Sequence, residues 1–106
     1  MENLDLTKAT LIKTDGTIEQ LTPKGKTFTY TEIRTYIGNL IQPIHLKYWT
    51  HHKEYSKMNI ICDEEGMLRY RSKNAKASKL LKEILGHSAQ DLYGPVIIIP
   101  NKLFKL

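Results

Sequence analysis

Val96-Ile97-Ile98-Ile99, opened by Gly94-Pro95 and closed by Pro100, is the stretch that decides how this chain folds. Four β-branched residues in a row do not alternate apolar with polar, so a strand built from them buries both faces. Such a strand is central in its sheet and needs cover on each side. The preceding segment can supply some of it. Asn74 is placed to cap a helix, and Ala77, Leu80, Leu81, Ile84 and Leu85 then recur at spacings of three and four, forming one apolar stripe. Lys76, Lys79, Lys82 and Glu83 fall on the outer side, and Gly86 is the C-terminal stop.

A second helix starts at Thr29-Tyr30-Thr31-Glu32, a capping box in which the Thr29 hydroxyl and the Glu32 carboxylate satisfy each other's backbone amides. Phe28 and Ile33 have the spacing of a hydrophobic staple across that cap. Ile33, Tyr36, Ile37 and Leu40 keep the helical period, and Gly38 ends it. Towards the N-terminus, residues 10–13 and 17–21 flank Asp15-Gly16, which suits a type I′ turn and predicts a β-hairpin. Pro23 and Gly25 end that unit.

Residues 41–49 read as a strand interrupted by Pro43, which cannot donate to a ladder and so marks an edge or a bulge. Alternation puts Ile44, Leu46 and Tyr48 on one side and His45, Lys47 and Trp49 on the other. Residues 50–56 are a polar loop, 58–62 a buried strand, Glu65-Gly66 a turn, and 67–71 its returning partner. The order β-β-α-β-β-β-α-β predicts an α+β fold, a mainly antiparallel sheet of five to six strands with two short helices. With 106 residues, 41% apolar and 25% charged, the chain is expected to be a single domain, ordered except at residues 1–6.

The charge is not evenly spread. Of sixteen Lys and Arg residues, nine lie between His45 and Lys82 against four acidic residues, which accounts for the whole net charge of +5. The same region holds the only Trp and three of the four His. With a pI of about 9.3, this positive field favours nucleic acid, a nucleotide or an acidic protein surface as partner. No apolar run is long enough to span a bilayer, so no membrane role is expected. One cysteine, Cys62, and no secretory signal fit a reducing compartment, the cytoplasm.

Three pieces of the sequence carry a family resemblance. They are Leu11-Ile12-Lys13-Thr14-Asp15-Gly16-Thr17-Ile18-Glu19, then Asp63-Glu64-Glu65-Gly66-Met67-Leu68 with Asn74 and Ala77, and finally Tyr93-Gly94-Pro95-Val96-Ile97-Ile98. In their order and spacing the chain resembles the phage- and plasmid-associated domain-of-unknown-function family 3846. Residues 48–57 depart from that pattern. The resemblance implies a compact accessory protein of a virus or mobile element, acting in the host cell, and it implies no reaction.

Catalytic and metal chemistry find little footing. His51-His52 beside His45 lacks the converging third or fourth ligand that a metal needs, since neighbours on an extended segment point apart. Cys62 continues the period of Met58 and Ile60 and reads as a buried hydrophobe rather than a nucleophile. Asp63, Glu64 and Glu65 read as a solvated turn. No phosphate-binding glycine loop follows a strand. The expectation is no catalytic residue, no metal and no cofactor; an enzyme would need a pocket gathering His45, His51 or His52 with a carboxylate. The constellation with a use is the aromatic-basic one. Tyr48, Trp49, His51, His52 and Tyr55 offer flat faces, Lys47, Lys53 and Lys57 supply charge, and Lys47, Trp49, Arg69 and Arg71 are expected on one face, an arrangement that holds single strands and nucleotides. The expected function is a non-enzymatic binding module for such an anionic ligand, its field widened by the helix lysines. The competing expectation is an inhibitor that docks on an acidic host protein through its basic helix or an exposed strand edge, with Pro43 arguing against the edge that carries it.

Overall fold

The computed structural model describes residues 4–69 and 71–104. Its sheet has five strands in the order β2-β1-β5-β4-β3, all neighbours antiparallel. They are β1 (Ala9–Ile12), β2 (Ile18–Leu21), β3 (Ile41–His45), β4 (Met58–Asp63) and β5 (Val96–Pro100), and the helices are α1 (Tyr30–Ile37) and α2 (Ala75–Leu85). The α+β class and the antiparallel sheet with two helices are as the sequence predicts. β5 is the central strand, fully buried along its length.

The consecutive apolar residues of β5 serve two cores. Val96 and Ile98 join Ile12, Ile60 and the α2 residues Leu80, Leu81 and Ile84 on one face. Ile97 and Ile99 join Leu11, Ile61 and the α1 residues Ile33 and Ile37 on the other. One helix therefore covers each face of the sheet, and each large buried aliphatic side chain contributes roughly 1.5–3 kcal/mol relative to exposure. Leu4 and Leu6, within the segment expected to lack order, pack against the α2-side core; residues 1–3 lie outside the described residues.

Both helix starts form as the sequence dictates. In α1 the amide of Glu32 donates to Thr29 Oγ1 at 3.2 Å and the amide of Thr29 donates to Glu32 Oε1 at 2.9 Å. Glu32 Oε2 accepts from the Lys24 amide at 3.0 Å as well. These amides hold the Glu32 carboxyl below its ordinary range. In α2 the fully buried Asn74 makes three bonds with its side chain. Oδ1 accepts from Ala77 at 3.0 Å, and Nδ2 donates to the carbonyls of Ile12 and Gly94, both at 2.9 Å. The cap thus ties α2 to the end of β1 and to the entry of β5.

Three expectations change. The strand expected over 67–71 does not form among the described residues, and Tyr70 lies outside them; residues 64–69 are a run of turns, because Arg69 and Arg71 are drawn onto the Asp63 carboxylate rather than paired along β4. The β1–β2 turn sits one residue earlier than a two-residue Asp-Gly loop. Gly16 N donates to Lys13 O and Lys13 N to Thr17 O, both at 2.9 Å, which gives a three-residue loop closed by Gly16 at φ +89°. The strand expected over 41–49 ends at His45, and Leu46–Tyr48 coil into a 3-10 turn that buries Leu46.

The exposed edges differ in kind. Glu64 N donates to Leu40 O at 2.9 Å, so with the register Gln42↔Cys62 and Ile44↔Ile60 these residues turn their main chain towards β4. Ile41, Pro43 and His45 face outward, and Pro43 removes a donor from that edge.

Candidate functional site

The 3-10 turn after β3 puts Lys47, Tyr48 and Trp49 side by side on the surface. Tyr48 is 68% exposed and Trp49 67%. Lys47 Nζ lies 4.8 Å from the centroid of the Tyr48 ring, and His45 meets that ring edge-on at 6.3 Å. The strand alternation that would have separated Tyr48 from Lys47 and Trp49 does not extend this far. The turn is held by Trp49 N and Thr50 N, which donate to Leu46 O at 3.0 and 2.9 Å, and by Thr50 Oγ1, which donates to Ile84 O at 3.3 Å.

Two hollows flank Tyr48 and His45. The first, about 550 Å³, has His45, Lys47, Tyr48, Asn59, Asn101, Lys102 and Phe104 as its walls. Asn59 Nδ2 donates to Asn101 Oδ1 there, and Asn101 N donates to Lys57 O at 2.8 Å, which brings the residue before β4 beside the end of β5. Among the described residues this wall is cationic and polar and contains no carboxylate. The second, about 430 Å³, lies between β3 and α2 and is lined mainly by Pro43, Ile44, Trp49, Leu81, Leu85 and Ala89. A flat apolar body and a negative charge one ring-width apart would find matching surroundings.

Tyr55 and the two arginines, also expected at the site, are taken up by other partners. His51 is exposed. His52 and Tyr55 contact each other at 6.2 Å, His52 Nδ1 lies 3.8 Å from Glu54, and Tyr55 packs against the α2-side core. Burial first, then the charges of Glu54 and Glu83, holds the Tyr55 hydroxyl above its ordinary range. Arg69 and Arg71 do not share a face with Trp49. Both guanidiniums reach Asp63 Oδ2, at 3.4 and 3.0 Å, next to Gly38 at the end of α1. Asp63 pairs with Ile41 and Asn59 with His45. The arginine cluster and the aromatic turn thus sit at opposite ends of the β3–β4 ladder, about 13 Å apart along the strand. Two of the three α2 lysines are also engaged: Lys76 Nζ donates to Gly16 O at 2.7 Å, and Lys82 pairs with Asp91, as does Lys73 ahead of the helix.

Asn59, Asn101 and Lys102 are the cleft residues that sequence reasoning missed. The only local signal is Pro100, which ends β5 and leaves Asn101 and Lys102 at the sheet's rim. Among the described residues, no group of three or more His, Cys, Asp and Glu gathers to hold a metal, and no helix is long and apolar enough to cross a membrane.

Cys62 is 3% exposed on the α2 side. Burial, reinforced by Asp63, pushes its thiol up to about 11 from 9.0. Native protein at pH 8 is expected to resist a thiol-specific reagent that labels the denatured chain at once. The unfolded thiol ionises first, so stability attributable to this group is intact below about 9 and declines as pH climbs towards 11. A Cys62→Ala variant should lack that part of the alkaline decline; rapid native labelling would contradict the burial.

No family model, curated protein or solved structure matches the chain. The comparisons therefore bring no relative's activity to bear on the site.

Proposed function

We propose that the protein is a non-enzymatic binding module that takes a single-stranded nucleic acid or nucleotide on the Lys47-Tyr48-Trp49 turn. One observation carries this reading: two large rings stand about two-thirds exposed beside a lysine that lies over one of them. Exposing such rings forgoes the gain of burying them. A base enters the apolar hollow and stacks on Trp49 or Tyr48, while its phosphate meets Lys47 and Lys102 in the polar one. Each stacked base is worth roughly 1–3 kcal/mol and each phosphate contact adds salt-dependent affinity. The resemblance to a family of accessory proteins from viruses and mobile elements fits a small accessory binder in the host cytoplasm.

Titration with a mixed-sequence oligonucleotide at low salt is expected to quench Trp49 fluorescence, with affinity falling as salt rises. Trp49→Ala and Tyr48→Ala should each weaken binding about fivefold to a hundredfold without loss of fold. Lys47→Ala and Lys102→Ala should each flatten the salt dependence by about one phosphate. A parallel titration with mononucleotides separates a free nucleotide from a strand. Fluorescence and amide chemical shifts that stay unchanged with both ligands would end the proposal.

A further inference from the structure

The geometry points to the free edge of β2 as a docking site for an extended acidic peptide segment, which adds as a further strand and lays its acidic side chains against Lys76 and Lys79 of α2. This inference stands apart from the aromatic turn. Lys13 N donates to Thr17 O at 2.9 Å, and the register continues through Leu11↔Glu19 and Ala9↔Leu21. These β2 residues turn their main chain towards β1. Ile18 and Gln20 therefore turn theirs outward, each with one N–H and one C=O, on a side where no strand pairs among the described residues. The opposite edge of the sheet carries Pro43 against such pairing, whereas β2 contains neither proline nor lysine and exposes 44% of Ile18.

The surroundings select the partner. Ile18 and Gln20 pair with Ile12 and Thr10, and Ile12 belongs to the α2-side core, so their side chains lie on the α2 face. There a hollow of about 490 Å³ opens between the β1–β2 turn and α2, with Ile18, Ala75 and Leu80 as its apolar part and Lys76 and Lys79 as its cations; the carboxylate on its wall, Asp15, already accepts from the Thr17 amide and hydroxyl. In an added strand, residues opposite Ile18 and Gln20 would project into this hollow, and carboxylates at those positions meet the lysines. Lys76 also binds the Gly16 carbonyl, which fixes its ammonium at the hollow. A second copy of the chain fits less well. Two β2 strands paired antiparallel about a two-fold axis at Glu19 would set Glu19 directly against Glu19 at a closely spaced pair, where like charges repel.

The probe is a blocked peptide of alternating Glu and Val, long enough to span β2, with a Lys-Val peptide as its charge-reversed control. Binding to the native protein is expected to slow amide exchange at Ile18 and Gln20. If glutamates occupy the α2 face, their amides point at β2 and those of valine point away. N-methylation at Glu should then weaken binding about tenfold or more, and N-methylation at Val should leave it within about twofold. Equal affinity of the two methylated peptides, or equal affinity of the Lys-Val peptide, would overturn the proposal. So would sedimentation showing a dimer that Gln20→Pro converts to monomer, since the edge would then belong to a second copy.

Discussion

Asn74→Ala is expected to lower the unfolding free energy by about 3–5 kcal/mol. The sum has two sources. Losing an N-cap acceptor costs about 1 kcal/mol, and depriving each of the two buried carbonyls of this donor costs about 1–2 kcal/mol, the lower part of the range because a carbonyl has a second lone pair. Asn74 serves the carbonyls of both Ile12 and Gly94 at 2.9 Å, from a position that is fully buried. A domain of this size is stable by roughly 5–15 kcal/mol, so one amide carries a large share. The thermal midpoint should fall by about 15 °C or more. Asn74→Asp tells the two sources apart. An aspartate keeps the acceptor for the Ala77 amide but turns a second oxygen towards two carbonyl oxygens. If the cross-links matter, Asp is as damaging as Ala in thermal or denaturant unfolding. Full recovery with Asp would show that the cap alone counts.

Asp63→Ala is the second large effect, a loss of about 2–4 kcal/mol. The carboxylate has no exposed side-chain surface, and it receives Arg71 Nε at 3.0 Å, Arg69 at 3.4 Å and the Glu65 amide at 2.9 Å. Hydrogen bonds to a charged group are worth about 1.5–3 kcal/mol each. The sum is discounted here because Arg69 is 46% exposed and returns to water when released. Arg69→Ala should therefore cost under about 1 kcal/mol. Arg71→Ala should cost more, because Arg71 is the closer, less exposed partner and packs over Gly94, where even a methyl group would meet its Cδ at 2.7 Å. Denaturant unfolding of the three variants checks the order. Oligonucleotide affinity should stay within about twofold for Arg71→Ala, since the cluster lies a ladder's length from the aromatic turn; a tenfold loss would return the arginines to the ligand site.

Residues whose partners are near in sequence were the legible ones. The Thr29–Glu32 box, the Asn74 cap and both glycine stops are set by chemistry within four residues, and each forms as the sequence predicts. The run Val96–Ile99 was legible for another reason: a strand with no polar side has only a central place to go. Residues 67–71 failed the same reading. Met67, Arg69 and Arg71 imitate a strand face, but a buried carboxylate at the end of β4 captures both arginines, and nothing in their spacing announces that. The aromatic turn was half legible. Tyr48, Trp49 and Lys47 could be named from composition, whereas burial of Leu46 bends the chain and decides that they stand together. Asn59 and Asn101 meet only through the register of β4 with β5, which no local pattern encodes.

The sheet acts as a partition. Ile97 and Ile98 are neighbours in the chain, yet one faces Ile33 and the other Leu80, in two apolar compartments that share a wall and no side chains. Volume removed from one compartment leaves a cavity that side chains of the other cannot fill, because the main chain of the sheet stands between them. The two rooms can therefore drift in composition separately over evolutionary time, each answering to its own helix, while the wall between them stays put.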